Sequence, residues 1–143
     1  MVGLSIERRR LPVALDLKLK PLASRHSEGY PMTLHSEILF PCKAIPAVAN
    51  LRGPEWQKLV AQMAALPDTH EDKLAFCLMM VRLSECMKCD LGSYKASLGC
   101  GSCARRAINS AKLTDAALLK RFEKARAEVI EYLRKREEKQ RAA

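Results

Sequence analysis

The chain has 143 residues with an apolar fraction of 48% and a charged fraction of 29%, which fits one globular domain with some tail and excludes wholesale disorder. Its formal net charge of +9 is uneven: residues 1–30 carry six basic and three acidic side chains, 31–103 seven of each, and 104–143 twelve and six. A neutral middle with positive ends favours acidic partners such as nucleic acid, an anionic membrane face or an acidic protein, while seven aromatic residues are too few for an extended stacking platform.

No stretch is apolar enough to span a bilayer; the best, Leu74 to Val81, has eight residues where a spanning helix needs roughly 20. Arg8, Arg9 and Arg10 are followed by apolar positions interrupted at Asp16, Lys18 and Lys20, so no signal-peptide core follows them. The expectation is a cytoplasmic protein without a membrane partner. In that setting paired C-x-x-C motifs point to metal or redox chemistry before disulfides.

Residues 1–31 read as a flexible or weakly structured arm. The alternation of Leu15, Leu17 and Leu19 with charged neighbours has the period of a half-buried strand, and a second extended piece over Thr33 to Phe40 would complete a small ribbon. The helical, metal-binding domain is expected over 32–133. Gly53-Pro54-Glu55-Trp56 starts a helix, because proline at the first helical position forfeits no hydrogen bond. That helix runs to about Leu66 with Trp56, Leu59, Val60 and Met63 on its inner stripe, and Pro67 stops it. Thr69 and Asp72 have the spacing of a capping box for the next helix, which is apolar on nearly every face and is expected at the centre. His70 reads as a solvated residue of its first turn.

The motif that carries chemistry follows: Cys86-x-x-Cys89, a ten-residue loop, then Cys100-x-x-Cys103. Two C-x-x-C pairs put four thiolates on two tight turns, and tetrahedral zinc takes four such ligands at about 2.3 Å with no open position. The second pair is expected at the N-terminus of a short helix through Ser110, where the dipole favours thiolates. In outline this resembles a treble-clef or knuckle finger. The spacer is shorter than in the usual zinc ribbon, and an iron–sulfur cluster is the alternative cofactor. Lys88, Lys95, Arg105 and Arg106 surround the motif; they either balance the thiolates or form, with Tyr94, a nucleic-acid-binding face.

The C-terminal helix begins near Thr114. Leu118, Phe122, Ala125, Val129 and Tyr132 or Leu133 form its inner stripe, and Lys120, Arg121 and Lys124 its basic outer face. Residues 134–143 are expected to protrude or fray as a basic helix end, supported by the pairs Glu131 with Lys135 and Glu137 with Arg141. Cys77 reads as a small core hydrophobe; Cys42 is a spare ligand, a reactive thiol or a buried group. The scattered His26, His35 and His70 give no ligand pair, and no nucleophile–base motif or phosphate-cradling loop is present, so no enzymatic role is expected.

The chain thus reads as mainly α: a small helical bundle with a four-cysteine knuckle between its central helix and a long C-terminal one. The function it suggests is a zinc-stabilised accessory or regulatory protein for nucleic acid or a nucleoprotein assembly. A protein–protein interaction module with a purely structural zinc, and an iron–sulfur electron carrier or redox sensor, are the alternatives.

Overall fold

A computed structural model describes residues 37–143; the expected arm over 1–31 and the Leu15–Leu19 strand lie outside them. The described residues are mainly helical and contain no strand. The end of the expected Thr33–Phe40 extended piece is a bend at Ile38 and Leu39. Phe40 is nevertheless buried, and no strand pairing involves the described residues 37–40.

A 3₁₀ segment, Cys42–Leu51, comes first, with non-helical backbone angles at Asn50. Pro46 sits inside it, and its missing N–H together with the restriction it places on Ile45 works against a regular α-helix. Sequence periodicity did not reveal this element. Ile45 and Val48 point inward, and the Val48 carbonyl accepts the buried indole N–H of Trp56 at 2.9 Å.

Helix α1, Pro54–Ala65, follows the expectation, with Pro54 at its first position and Trp56, Leu59, Val60 and Met63 all buried. Helix α2, Glu71–Leu83, starts with a different cap from the one expected. His70 is the cap, its Nδ1 accepting the Asp72 N–H at 3.1 Å. Asp72 is instead engaged by Arg126 at 2.5 Å, which withdraws its carboxylate from a capping box with Thr69. Lys73 is buried at 6% exposure, donating to the Leu66 carbonyl and pairing with Asp68, both at 2.8 Å; it closes the α1–α2 turn.

Helix α2 is central, as its composition requires. Ala75, Phe76, Met79 and Met80 are buried, and Phe76 stacks at tilted angles between Trp56 (5.6 Å) and Phe122 (6.3 Å). These three rings join α1, α2 and the last helix through one core, each burying a large apolar area. After a short helix α3, Tyr94–Ser97, come α4, Cys100–Ser110, and α5, Asp115–Ala142.

Thr114 caps α5, accepting the Ala117 N–H at 3.2 Å. Leu118, Phe122 and Ala125 are buried and Val129 is half-buried, but Tyr132 is 65% exposed. The inner stripe therefore ends earlier than its periodicity suggested, with Val129 and Tyr132 bordering an open groove beside Leu78. Of the two outcomes expected for 134–143, protrusion or fraying, fraying is absent: beyond Leu133 the helix is fully solvated and regular to Ala142. Glu131 pairs with Lys135 at 2.6 Å, which draws the carboxyl of Glu131 below its ordinary range. The second brace is Arg134 with Glu138 at 3.9 Å and not the expected Glu137–Arg141 pair.

Candidate metal centre

The two C-x-x-C turns form by different local means. Helix α2 ends at Ser84, and Glu85 adopts left-handed angles (φ 53°, ψ 42°), which reverses the chain into a 3₁₀ turn over Cys86–Lys88. The Cys89 N–H then bonds the Cys86 carbonyl at 3.0 Å, bringing the first pair together. Gly99, at φ 90° and ψ 159°, makes the second turn in a region essentially reserved for glycine. Helix α4 runs Cys100–Ser110, so Cys100 and Cys103 both lie in its first turn, at the helix N-terminus expected for the second pair.

All four sulfur-bearing residues line one pocket of about 20 Å³, together with Glu37, Ile38, Phe40, Ser84, Lys95 and Ala96. That is room for a single water-sized guest. The thiol of Cys86 is pushed up chiefly by burial, opposed by a backbone hydrogen bond from Phe40 and reinforced by Cys103, Cys100 and Cys89. Its three motif partners are therefore electrostatic neighbours. Among the described residues, however, no group of three or more Cys, His, Asp or Glu side chains is arranged to hold a metal ion. One obstacle is visible at Cys100: its Sγ accepts the Glu37 N–H at 3.1 Å and donates to the Glu37 carbonyl at 3.2 Å.

The covering segment is what motif reading missed. Glu37 and Phe40 place backbone N–H groups on the sulfurs of Cys100 and Cys86, sixty-three and forty-six positions away in the chain. Backbone contacts leave no residue-type signature. Ser84 is the second unforeseen neighbour. Its residue is 5% exposed, its hydroxyl is buried without a hydrogen-bond partner, and it lines the same pocket as the four cysteines. Buried hydroxyls are normally satisfied, so this one stands out among the residues lining the pocket.

The eight residues expected to contact nucleic acid are all exposed. Lys88 is paired with Glu85 at 3.3 Å, and Lys95 reaches the Ser84 carbonyl at 3.3 Å. Tyr94 is 77% exposed. Arg106 and Lys95 share a cleft of about 200 Å³ with Ser84, Glu85 and Cys103. Arg121 and Lys124 share another, of about 270 Å³, with Met79 and Arg82. Both clefts border the C-terminal end of α2, the first against α4 and the second against α5. Arg105 and Lys120 lie on the exposed faces of those helices and line neither cleft.

No family model, curated protein or solved structure matches this chain. Function rests on the chemistry of the site. Among the described residues no helix is long and apolar enough to cross a membrane.

Proposed function

We propose that Cys86, Cys89, Cys100 and Cys103 hold one zinc ion that pins the end of α2 to the start of α4, and that the basic surface so organised binds nucleic acid or a nucleoprotein assembly. The observation that carries the reading is the convergence of the two C-x-x-C turns, ten residues apart, on one guest-sized pocket. Three further features fit that donor set. Backbone N–H groups aimed at Cys86 and Cys100 stabilise thiolates, the α4 N-terminus adds its dipole, and the Ser84 hydroxyl is a donor awaiting a charged sulfur. Closing the set requires the Cys100 thiol to lose its proton and with it the bond to the Glu37 carbonyl.

Zinc bound to four thiolates supplies a cross-link worth about 10–16 kcal/mol at neutral pH, comparable with a whole domain's stability. Such a site is closed and structural, so binding falls to the cations around it. Lys95 and Arg106 in one cleft, and Arg121 and Lys124 in the other, present positive charge on two sides of α2. Arg105, Lys120 and Lys88 extend it, and Tyr94 offers one ring for stacking.

The test has two stages. Elemental analysis and a visible spectrum of the full chain purified without oxygen should give one zinc per chain and no colour; iron with a brown chromophore would replace this reading with an electron carrier or redox sensor. Fluorescence anisotropy with duplex DNA and single-stranded RNA, titrated in potassium chloride, should then show affinity falling steeply with salt as counterions are released. Zinc without salt-dependent binding would leave the interaction-module reading. A specific observation favours that reading as the second: Ile130 and Tyr132 are exposed apolar residues on α5, and Tyr132 lines a groove with Leu78, Glu128 and Val129.

A further inference from the structure

Two cysteines outside the motif meet elsewhere in the molecule. Cys42 opens the 3₁₀ segment and Cys77 lies midway along α2, yet their Sγ atoms are 3.3 Å apart and hydrogen-bonded to each other. Both residues keep partial exposure, so a small oxidant can reach them. A packing role alone would be met by two small apolar side chains. Two thiols in direct contact add a capacity that alanine or valine lacks, since their sulfurs already meet at 3.3 Å and a disulfide joins them at about 2.05 Å.

We propose that Cys42 and Cys77 form a redox-active dithiol, oxidised by a peroxide to a disulfide that ties the 3₁₀ segment to α2. The Cys42 thiolate attacks one peroxide oxygen, the O–O bond breaks, and the departing hydroxide takes a proton to become water. Cys42 is left as a sulfenic acid. The Cys77 sulfur then displaces the sulfenic hydroxyl, the S–S bond forms, and the Cys77 proton leaves with that hydroxide as a second water. In balance, two thiols and one hydrogen peroxide give one disulfide and two waters, with two electrons passing from sulfur to oxygen.

The order of attack follows from the surroundings. Burial first, and then the hydrogen bond with Cys42, push the Cys77 thiol up to about 12, with Lys73 opposing and Asp68 reinforcing. Burial of Cys77 disfavours its thiolate, so in the proposed sequence Cys42 attacks first and Cys77 resolves, an order that the serine variants test. The new bond would also stiffen both walls of the four-cysteine pocket, because residues 37–40 lead into Cys42 and α2 leads out to Ser84 and Cys86. The proposal does not depend on a metal there.

The experiment is stoichiometric hydrogen peroxide treatment of the reduced full chain, with intact mass read on one portion and alkylation followed by non-reducing peptide mapping on another. The expected result is a loss of about 2 Da reversed by dithiothreitol. Mapping should join the peptides of Cys42 and Cys77, and the melting temperature should rise by several degrees. Cys77→Ser should stop the sequence at a sulfenic acid on Cys42 that dimedone captures, whereas Cys42→Ser should give neither product. Cys42 and Cys77 remaining freely alkylated while other cysteines oxidise would overturn the proposal. So would irreversible oxidation of Cys42 in the wild-type chain without a linked peptide.

Discussion

The guanidinium of Arg52 donates to three carbonyl oxygens, those of Ile108 (2.5 Å), Ala111 (3.1 Å) and Leu113 (3.0 Å), and lies 3.6 Å from the carboxylate of Asp115. The end of α4 leaves carbonyls without intrahelical partners, and here a side chain from the start of the domain satisfies them. Asp115 completes the junction by accepting the Gly53 N–H at 2.9 Å. One residue thus joins the chain before α1 to the link between α4 and α5. Arg52→Ala should lower unfolding free energy by about 2 kcal/mol, because half-buried carbonyls lose charged donors and water replaces them only in part. Arg52→Lys should recover little of that loss, since an ammonium lacks the planar fork that reaches several acceptors at once. Urea unfolding followed by circular dichroism measures both; equal stability of the alanine variant and the wild type would show the junction to be solvated rather than structural.

At the scale of elements, the two cysteine turns depend on backbone that side-chain residues resist. Gly99 stands at φ 90° and ψ 159°, immediately before the helix that carries Cys100 and Cys103. A Cβ there is strained whatever the surrounding space, so Gly99→Ala should cost about 1–3 kcal/mol and reduce zinc affinity by displacing both sulfurs together. Competition with a chromogenic chelator reads the affinity; an alanine variant with unchanged affinity would mean that the second turn tolerates another path. The cysteine spacing was legible in the sequence, as were α1, its four buried residues and the start of α5. Each is marked locally, by Pro54, Thr114 or a period of 3.6. The misses share a different cause. The Cys42–Leu51 segment has Pro46 in its interior and only Ile45 and Val48 fully buried, too few for a period. His70 displaced Thr69 as a cap because Arg126, 54 positions later than Asp72, claimed the carboxylate. The Glu37 and Phe40 contacts to sulfur, the orphaned Ser84 hydroxyl and the Cys42–Cys77 contact all join residues far apart in the chain, which no local pattern encodes.

For the whole molecule, helix α5 divides the labour between stability and charge. Its first three turns bury Leu118, Phe122 and Ala125 against α2, while everything after Leu133 is exposed. The same solvated end holds Arg134, Lys135, Arg136, Lys139 and Arg141 against Glu137 and Glu138. Its ion pairs are exposed i,i+4 contacts, which contribute little to stability. Deleting 134–143 should therefore leave the melting temperature of the zinc-loaded protein nearly unchanged while removing a net charge of three. If the proposed nucleic-acid binding uses this end, the salt dependence must weaken in proportion, by about 0.9 in the slope of log affinity against log salt for each lost phosphate contact on duplex DNA. An unchanged slope would confine recognition to the clefts beside α2, where Arg106 with Lys95 and Arg121 with Lys124 remain. A drop in melting temperature would instead show that the end packs on a second copy of the chain, which a sedimentation measurement on the same sample would detect.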